Sequence, residues 1–134
     1  MIISWNTTNA CNMFCDHCYR DAGCKADEEL NTQEAKTLLE QIAKAGFKIM
    51  IFSGGEPLMR PDIVELVEYA TKLGLRSVFG TNGTLITEEM ALKLKNAGAM
   101  GMGISLDSMD AEKHNNFRKF PNAWEGAVRG MRNC

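Results

Sequence analysis

Three cysteines, Cys11, Cys15 and Cys18, stand in one short stretch, Cys11-Asn-Met-Phe-Cys15-Asp-His-Cys18, directly after the apolar run Ile2-Ile3-Ser4-Trp5-Asn6-Thr7. Soft thiolate ligands select iron–sulfur clusters, zinc or copper(I). Spacings of four and three residues let three thiolates wrap one face of a cubane iron–sulfur cluster, whereas a fully ligated cluster uses a fourth cysteine. Such a trio leaves one iron open, and an open coordination position is where chemistry can take place. Structural zinc is the competing reading. It needs a fourth ligand, for which Cys24 and His17 are the candidates.

The elements that must carry this loop repeat as βα units. Three joints, Ala45-Gly46-Phe47-Lys48, Leu73-Gly74-Leu75-Arg76 and Ala97-Gly98-Ala99-Met100, each place a glycine after an amphipathic segment, as a left-handed helix C-cap requires. The first of these helices has Ala35, Leu38, Leu39 and Ile42 at helical spacing, with Asn31 and Glu34 as a capping box. The next has Pro61 at its first position, then Ile63, Leu66, Val67 and Ala70. The third starts at Thr87 and carries Met90, Ala91 and Leu94. Strands are expected at Lys48–Ser53, Leu75–Gly80 and Gly101–Leu106, and a fourth helix from Pro121 to Asn133. This alternation predicts an α/β fold with a parallel sheet and right-handed crossovers, part of a barrel rather than an open sheet.

Parallel βα folds bind ligands at the C-terminal ends of their strands. Here those ends read Ser53-Gly54-Gly55-Glu56-Pro57, Gly80-Thr81-Asn82-Gly83 and Ser105-Leu106-Asp107-Ser108, and the first strand runs into the cysteine loop. All should face one cavity. Gly54 and Gly55 are expected to let a ligand approach the backbone, and Glu56 to accept from an ammonium or hydroxyl group. Pro57 fixes the chain leaving the loop. Ser105 and Asp107 alternate along a strand and so share a side.

Composition sets the bounds. The chain has 134 residues, 45% apolar and 24% charged, with a net charge of −2, which suits one globular domain and gives no electrostatic case for nucleic acid or an anionic membrane. No apolar run approaches the length of a membrane span, and no signal peptide is evident. Five clustered cysteines suit a reducing, cytoplasmic compartment and metal binding over disulfides. Cys24 and Cys134 read as spare thiols, Trp5 and Trp124 as core, and the nine methionines as core filler. His114 reads as a surface or helix-start residue, and Asp27-Glu28-Glu29 as a solvated loop. Tyr19 reads either as core packing or as a partner for an adenine ring.

The cysteine pattern, combined with Gly54-Gly55-Glu56-Pro57 after the second strand, resembles the radical S-adenosylmethionine (SAM) superfamily over essentially the whole chain. The resemblance implies a [4Fe–4S] cluster held by Cys11, Cys15 and Cys18, with SAM chelating the fourth iron. It also implies that Gly54, Gly55, Glu56 and Pro57 contact the methionine amino group, and that Asn82, Ser105, Asp107 and Arg118 lie around the adenosyl, ribose and carboxylate groups. Reductive cleavage of SAM would release a 5′-deoxyadenosyl radical that abstracts a hydrogen atom, fed by an electron donor such as ferredoxin or flavodoxin. His17 departs from the aromatic residue common before the third cysteine. The chain holds about four βα units of a barrel that has about six in this superfamily. Residues 1–134 are therefore expected to be the N-terminal part of a radical SAM core domain, with an open sheet edge inclined to self-associate.

Within the superfamily, Ser4–Asn9, the stretch Cys18-Tyr19-Arg20-Asp21-Ala22-Gly23, and His114 with Phe117-Arg118 and Pro121 resemble proteins that modify tetrapyrrole side chains in haem synthesis. The usual Pro-Gly pair there reads Pro121-Asn122. Peptide-modifying maturases share much of the pattern. Two further readings stand beside these: a non-catalytic iron–sulfur or zinc module, and an ordinary nucleotide-binding α/β domain.

Overall fold

The computed structural model describes residues 1–20 and 22–134; Asp21 of the resemblance above lies outside the described residues. The chain alternates β1 (Ile2–Asn6), α1 (Thr32–Lys44), β2 (Ile49–Ser53), α2 (Ile63–Lys72), β3 (Arg76–Thr81), α3 (Glu88–Ala97), β4 (Ala99–Ile104), α4 (Ala111–Arg118) and α5 (Ala123–Asn133), with a 3₁₀ turn at Pro57–Met59 before α2. The strands lie in the order β1-β2-β3-β4, every neighbour parallel. Sheet order follows chain order without reversal. That is the order of a βα barrel, whereas a doubly wound sheet reverses at a switch point.

Helix ends follow local chemistry. Asn31 and Glu34 close the capping box on α1, and Thr87 caps α3 by accepting from the Met90 amide. Gly46, Gly74 and Gly98 all have positive φ where the chain leaves a helix. Pro61 is not the first residue of α2. That helix begins at Ile63, and Asp62, in the N-cap position, gives its carboxylate to Arg60 and Thr32 instead. The C-terminal region holds two helices rather than one. Sequence reasoning missed α4 because it has no apolar stripe, and His114 is its one buried residue. Lys119 and Asn122, at φ 51° and 61°, separate α4 from α5 in the left-handed region, where asparagine can stand in for glycine.

One face of the sheet packs under the helices. Met50 and Phe52 of β2, Ser77 and Phe79 of β3, and Leu39, Leu66, Val67 and Leu94 from α1, α2 and α3 are buried there. A register shift at Ser77/Val78 pairs Val78 with Gly101 and Gly80 with Gly103, so small residues line the other face beside β4. Trp5 is half-buried and packs on the core. The methionines are mostly not core filler: Met13 and Met50 are buried, but Met1, Met59, Met100, Met109 and Met131 are exposed. Edge strands β1 and β4 bound the sheet. Beside β4 lies a recess of about 480 Å³, bordered by Lys95, Met100, Met102 and Cys134 and not by Cys11, Cys15 or Cys18. No helix among the described residues is long and apolar enough to cross a membrane.

Candidate functional site

The cysteine loop is held from three sides. Beyond β1, the Thr7 amide and hydroxyl both donate to the Ser53 carbonyl, at 2.8 and 3.0 Å, which carries the pairing of β1 with β2 past the strand end. The Gly55 amide then donates to the Thr8 carbonyl (2.9 Å), and the Glu56 amide to the Ala10 carbonyl (2.8 Å). The approach is so close that a Cβ on Gly54 would lie 2.4 Å from the Thr8 oxygen, and one on Gly55 would lie 2.4 Å from the Ala10 oxygen. The backbone that needs the glycine pair is thus the chain's own. The loop closes on itself through Cys11 N–H to Gly23 O and Gly23 N–H to Asn9 O, both 2.9 Å. Glu29 is not simply solvated. Its carboxylate accepts from the Asn9 and Ala26 amides and the Thr8 hydroxyl.

The second grip comes from the loop after β3. Asn82 Nδ2 donates to Asn12 Oδ1 at 2.8 Å, and Asn12 Nδ2 donates to the Thr84 hydroxyl at 3.0 Å. The third comes from the end of α4. The Asp16 amide donates to the Phe117 carbonyl (3.3 Å), Lys119 pairs with Asp16 (3.0 Å), and the His17 ring stacks on Phe117 with centroids 4.1 Å apart and planes at 1°.

So held, Cys11, Cys15 and Cys18 border a cavity of about 260 Å³ at the C-terminal ends of the strands, facing Ser53, Gly54, Gly55, Gly80, Asn82, Ser105 and Arg118. Burial pushes the Cys11 and Cys15 thiols above their ordinary value; for Cys15 the Arg118 guanidinium, 4.0 Å from Sγ, opposes the rise. Among the described residues, no three His, Cys, Asp or Glu side chains are gathered tightly enough to hold a single metal ion. Cys24 is exposed. Tyr19 borders the cavity at 82% exposure and is not a core residue.

Three of the expected contact residues lie elsewhere. Glu56 is fully buried and does not border the cavity. Its Oε1 accepts from the Thr81 hydroxyl (2.8 Å) and the Leu58 amide (3.1 Å), and its Oε2 from the Asn82 amide (2.8 Å). Burial pushes its carboxyl up, against those three donors. Glu56 therefore ties the β2 loop to the β3 loop. Pro57 is buried at the head of the 3₁₀ turn. Ser105 and Asp107 do not alternate on a strand, because β4 ends at Ile104. Ser105 borders the cavity, while Asp107 binds Arg118 through both oxygens, at 2.6 and 2.9 Å.

His114 corrects the surface reading, since it is 1% exposed. Its Nδ1 accepts from the Asp107 amide at 3.2 Å and also lies 3.4 Å from Asp107 Oδ2. Burial pushes the imidazole below its ordinary value despite the Asp107 charge, so the neutral ring with Nδ1 as acceptor is the form that fits. Sequence reasoning also missed His17, Arg20, Ser53 and Thr81 as cavity residues. Thr81, between Gly80 and Asn82 at a strand end, was findable by position, and Arg20 by its place two residues after Cys18.

The arrangement defines part of a βα barrel with a thiol-bearing cavity at the strand C-termini. A family model described as the radical SAM superfamily matches residues 5–134, and the chain belongs to that superfamily, whose members use an iron–sulfur cluster and SAM. It is 45% identical over 134 residues to the Fe-coproporphyrin III synthase of Methanosarcina barkeri, covering 99% of this chain and 33% of that protein. It is 45% identical over 131 residues to the AdoMet-dependent heme synthase of Oleidesulfovibrio alaskensis, covering 97% and 34%. It is 36% identical over 131 residues to the mycofactocin maturase of Mycolicibacterium smegmatis, covering 98% and 33%. The chain spans about a third of the length of these relatives. Among solved structures, Streptococcus suis SuiB bound to S-adenosylmethionine superposes with a TM-score of 0.79 at 18% identity, over 98% of this chain and 29% of that one. The anSMEcpe enzyme with bound AdoMet gives 0.78 at 24%, over 98% and 39%. At these identities the likeness is one of fold.

Proposed function

We propose that residues 1–134 form the cofactor-binding part of a radical SAM enzyme, with Cys11, Cys15 and Cys18 as ligands of a [4Fe–4S] cluster. The observation that carries this reading is the convergence of the three thiols on one cavity bordered by Gly54, Gly55 and Arg118. The donor set fits such a cluster better than zinc. A structural tetrahedral zinc site closes with a fourth protein ligand, and Cys24, one of the two candidates, is exposed and does not border the cavity, whereas a cubane spreads one thiolate over each of several irons. Bound together, the cluster and SAM supply one-electron cleavage of the sulfonium and hydrogen-atom abstraction from a substrate.

The chain's own residues bind, orient and exclude water. Raised thiol values mean that cluster assembly displaces protons from Cys11 and Cys15. Arg118, held by both oxygens of Asp107, presents a positive charge beside Cys15, where it offsets the negative charge of a thiolate-bound cluster. Asn82, pinned at its amide by Glu56 and at its side chain by Asn12, holds the wall opposite the cysteines. The backbone around Gly54 and Gly55, Ser105 and the Arg118 edge are the candidate SAM contacts. Glu56 acts behind them as a positioning residue.

The substrate we favour is a tetrapyrrole whose side chain is modified. The support is the 45% identity to the Fe-coproporphyrin III and heme synthases, against 36% to the peptide maturase that carries the alternative. A small one-electron donor such as ferredoxin or flavodoxin would feed the cluster, and a reducing compartment such as the cytoplasm would keep its thiols free.

Anaerobic reconstitution tests the reading. The wild-type chain should take up about four irons and four sulfides, change its cluster spectrum on addition of SAM, and form 5′-deoxyadenosine with dithionite. Serine at position 11, 15 or 18 should abolish cluster uptake, and serine at 24 or 134 should not. Stable zinc binding with no spectral response to SAM would leave a non-catalytic metal module in its place.

A further inference from the structure

We propose that Arg20 binds a carboxylate of the substrate, a polycarboxylate of the tetrapyrrole type; the inference rests on the tetrapyrrole reading above. Arg20 stands two residues after Cys18. It borders the cysteine cavity and also an adjoining recess of about 210 Å³ beside Trp5, Thr8, Glu28 and Glu29. Two arginines border the cysteine cavity, and they differ in what they already hold. The fork of Arg118 is occupied by Asp107. Arg20 closes no salt bridge among the described residues, although two glutamates border the same recess. Glu29 is already engaged by three donors.

The Nε of Arg20 is shielded from water and has no hydrogen-bond acceptor. Buried polar groups in folded proteins are almost always partnered, so an orphaned donor at a cavity wall marks where an acceptor is missing. The planar guanidinium fork matches a carboxylate through two parallel hydrogen bonds. A carboxylate seated there would lie on the wall of the cavity that Cys18 also borders. Glu28 and Glu29 on the same recess would repel any other part of a polyanion, which limits the contact to one carboxylate at the Arg20 side.

The test titrates the full chain, reconstituted without oxygen and in the presence of SAM, with metal-free coproporphyrin III and with its methyl ester, reading porphyrin fluorescence. The wild-type chain should bind the acid more tightly than the ester. Arg20→Gln should weaken the acid about tenfold or more, the usual scale for a charge-assisted pair, and leave the ester unchanged. Arg20→Lys, which keeps the charge but not the fork, should fall between, and it serves alone if the glutamine variant does not fold by circular dichroism. SAM affinity, read from the cluster spectrum, should be the same in all three. Equal binding of the acid by wild type and both variants overturns the inference and spares the tetrapyrrole reading. So does an equal loss of acid and ester, or a loss of SAM affinity, which would assign Arg20 to the cofactor carboxylate. A wild-type chain that binds no porphyrin overturns both.

Discussion

Replacing Gly55 by alanine separates two reasons for a glycine pair beside the cysteine-lined cavity. If the glycines exist to admit a ligand, the metal-free chain should tolerate the change and only binding should suffer. The structure argues otherwise, because the alanine Cβ would lie 2.4 Å from Ala10 O and 2.8 Å from Asn9 O. Both are backbone atoms, so no rotamer change relieves the clash. Ordinary contact would require the two loops to part by about 1 Å. That movement breaks the Gly55–Thr8 and Glu56–Ala10 hydrogen bonds, now 2.9 and 2.8 Å, each contributing about 1 kcal/mol. Overpacking strain of about 1 to 3 kcal/mol adds to that, so the metal-free chain should lose about 3 to 5 kcal/mol. Gly54→Ala adds a φ of 135° to a similar clash and should be no milder. Gly101→Ala, where a Cβ meets nothing within 4 Å, should change stability by no more than about 1 kcal/mol. Urea unfolding of the three metal-free variants decides the matter. A Gly55→Ala chain as stable as wild type, yet unable to respond to SAM, would refute the reasoning and return the glycines to ligand access.

Three other outcomes are expected. Glu56→Ala should destabilise the metal-free chain by about 2 to 4 kcal/mol in urea unfolding, because it orphans the buried donors of Leu58, Thr81 and Asn82; unchanged stability with weakened SAM binding would make Glu56 a cofactor contact. Phe117→Ala should lower cluster occupancy and speed amide exchange across residues 11–18, since it removes the stacking partner of His17, whereas Phe117→Tyr should restore both. Stability should also fall on mild acidification. Burial holds the folded-state value of His114 below its ordinary 6.5, so the unfolded chain binds the proton first. The contribution of His114 is complete above about 6.5 and is lost as pH falls through the lower folded value. Urea midpoints of His114→Gln between pH 7.5 and pH 5.5 (chosen to bracket about 6.5) should be flatter than those of wild type, and equal slopes would refute the assignment.

Much of this molecule is written in local pattern. Glycine at the exits of α1, α2 and α3, the Asn31–Glu34 box and short apolar runs act over a few residues, so they specify βα units whatever the rest of the chain does. The cysteine spacing likewise marks one loop as a candidate soft-metal site, and parallel strands then oblige every strand-end loop to share its rim. Tertiary structure decided which groups on that rim face the cavity and which face one another. Asn12 meets Asn82 across 70 residues of chain, and Glu56 meets Asn82 across 26. Those meetings depend on sheet register, which no short pattern encodes. Residue types alone made Glu56 and Asp107 look like ligand contacts and gave the glycine pair no part in loop packing. In the folded chain the loops crowd so closely that a missing Cβ, a buried carboxylate and an ion pair are what keep the cysteines in place.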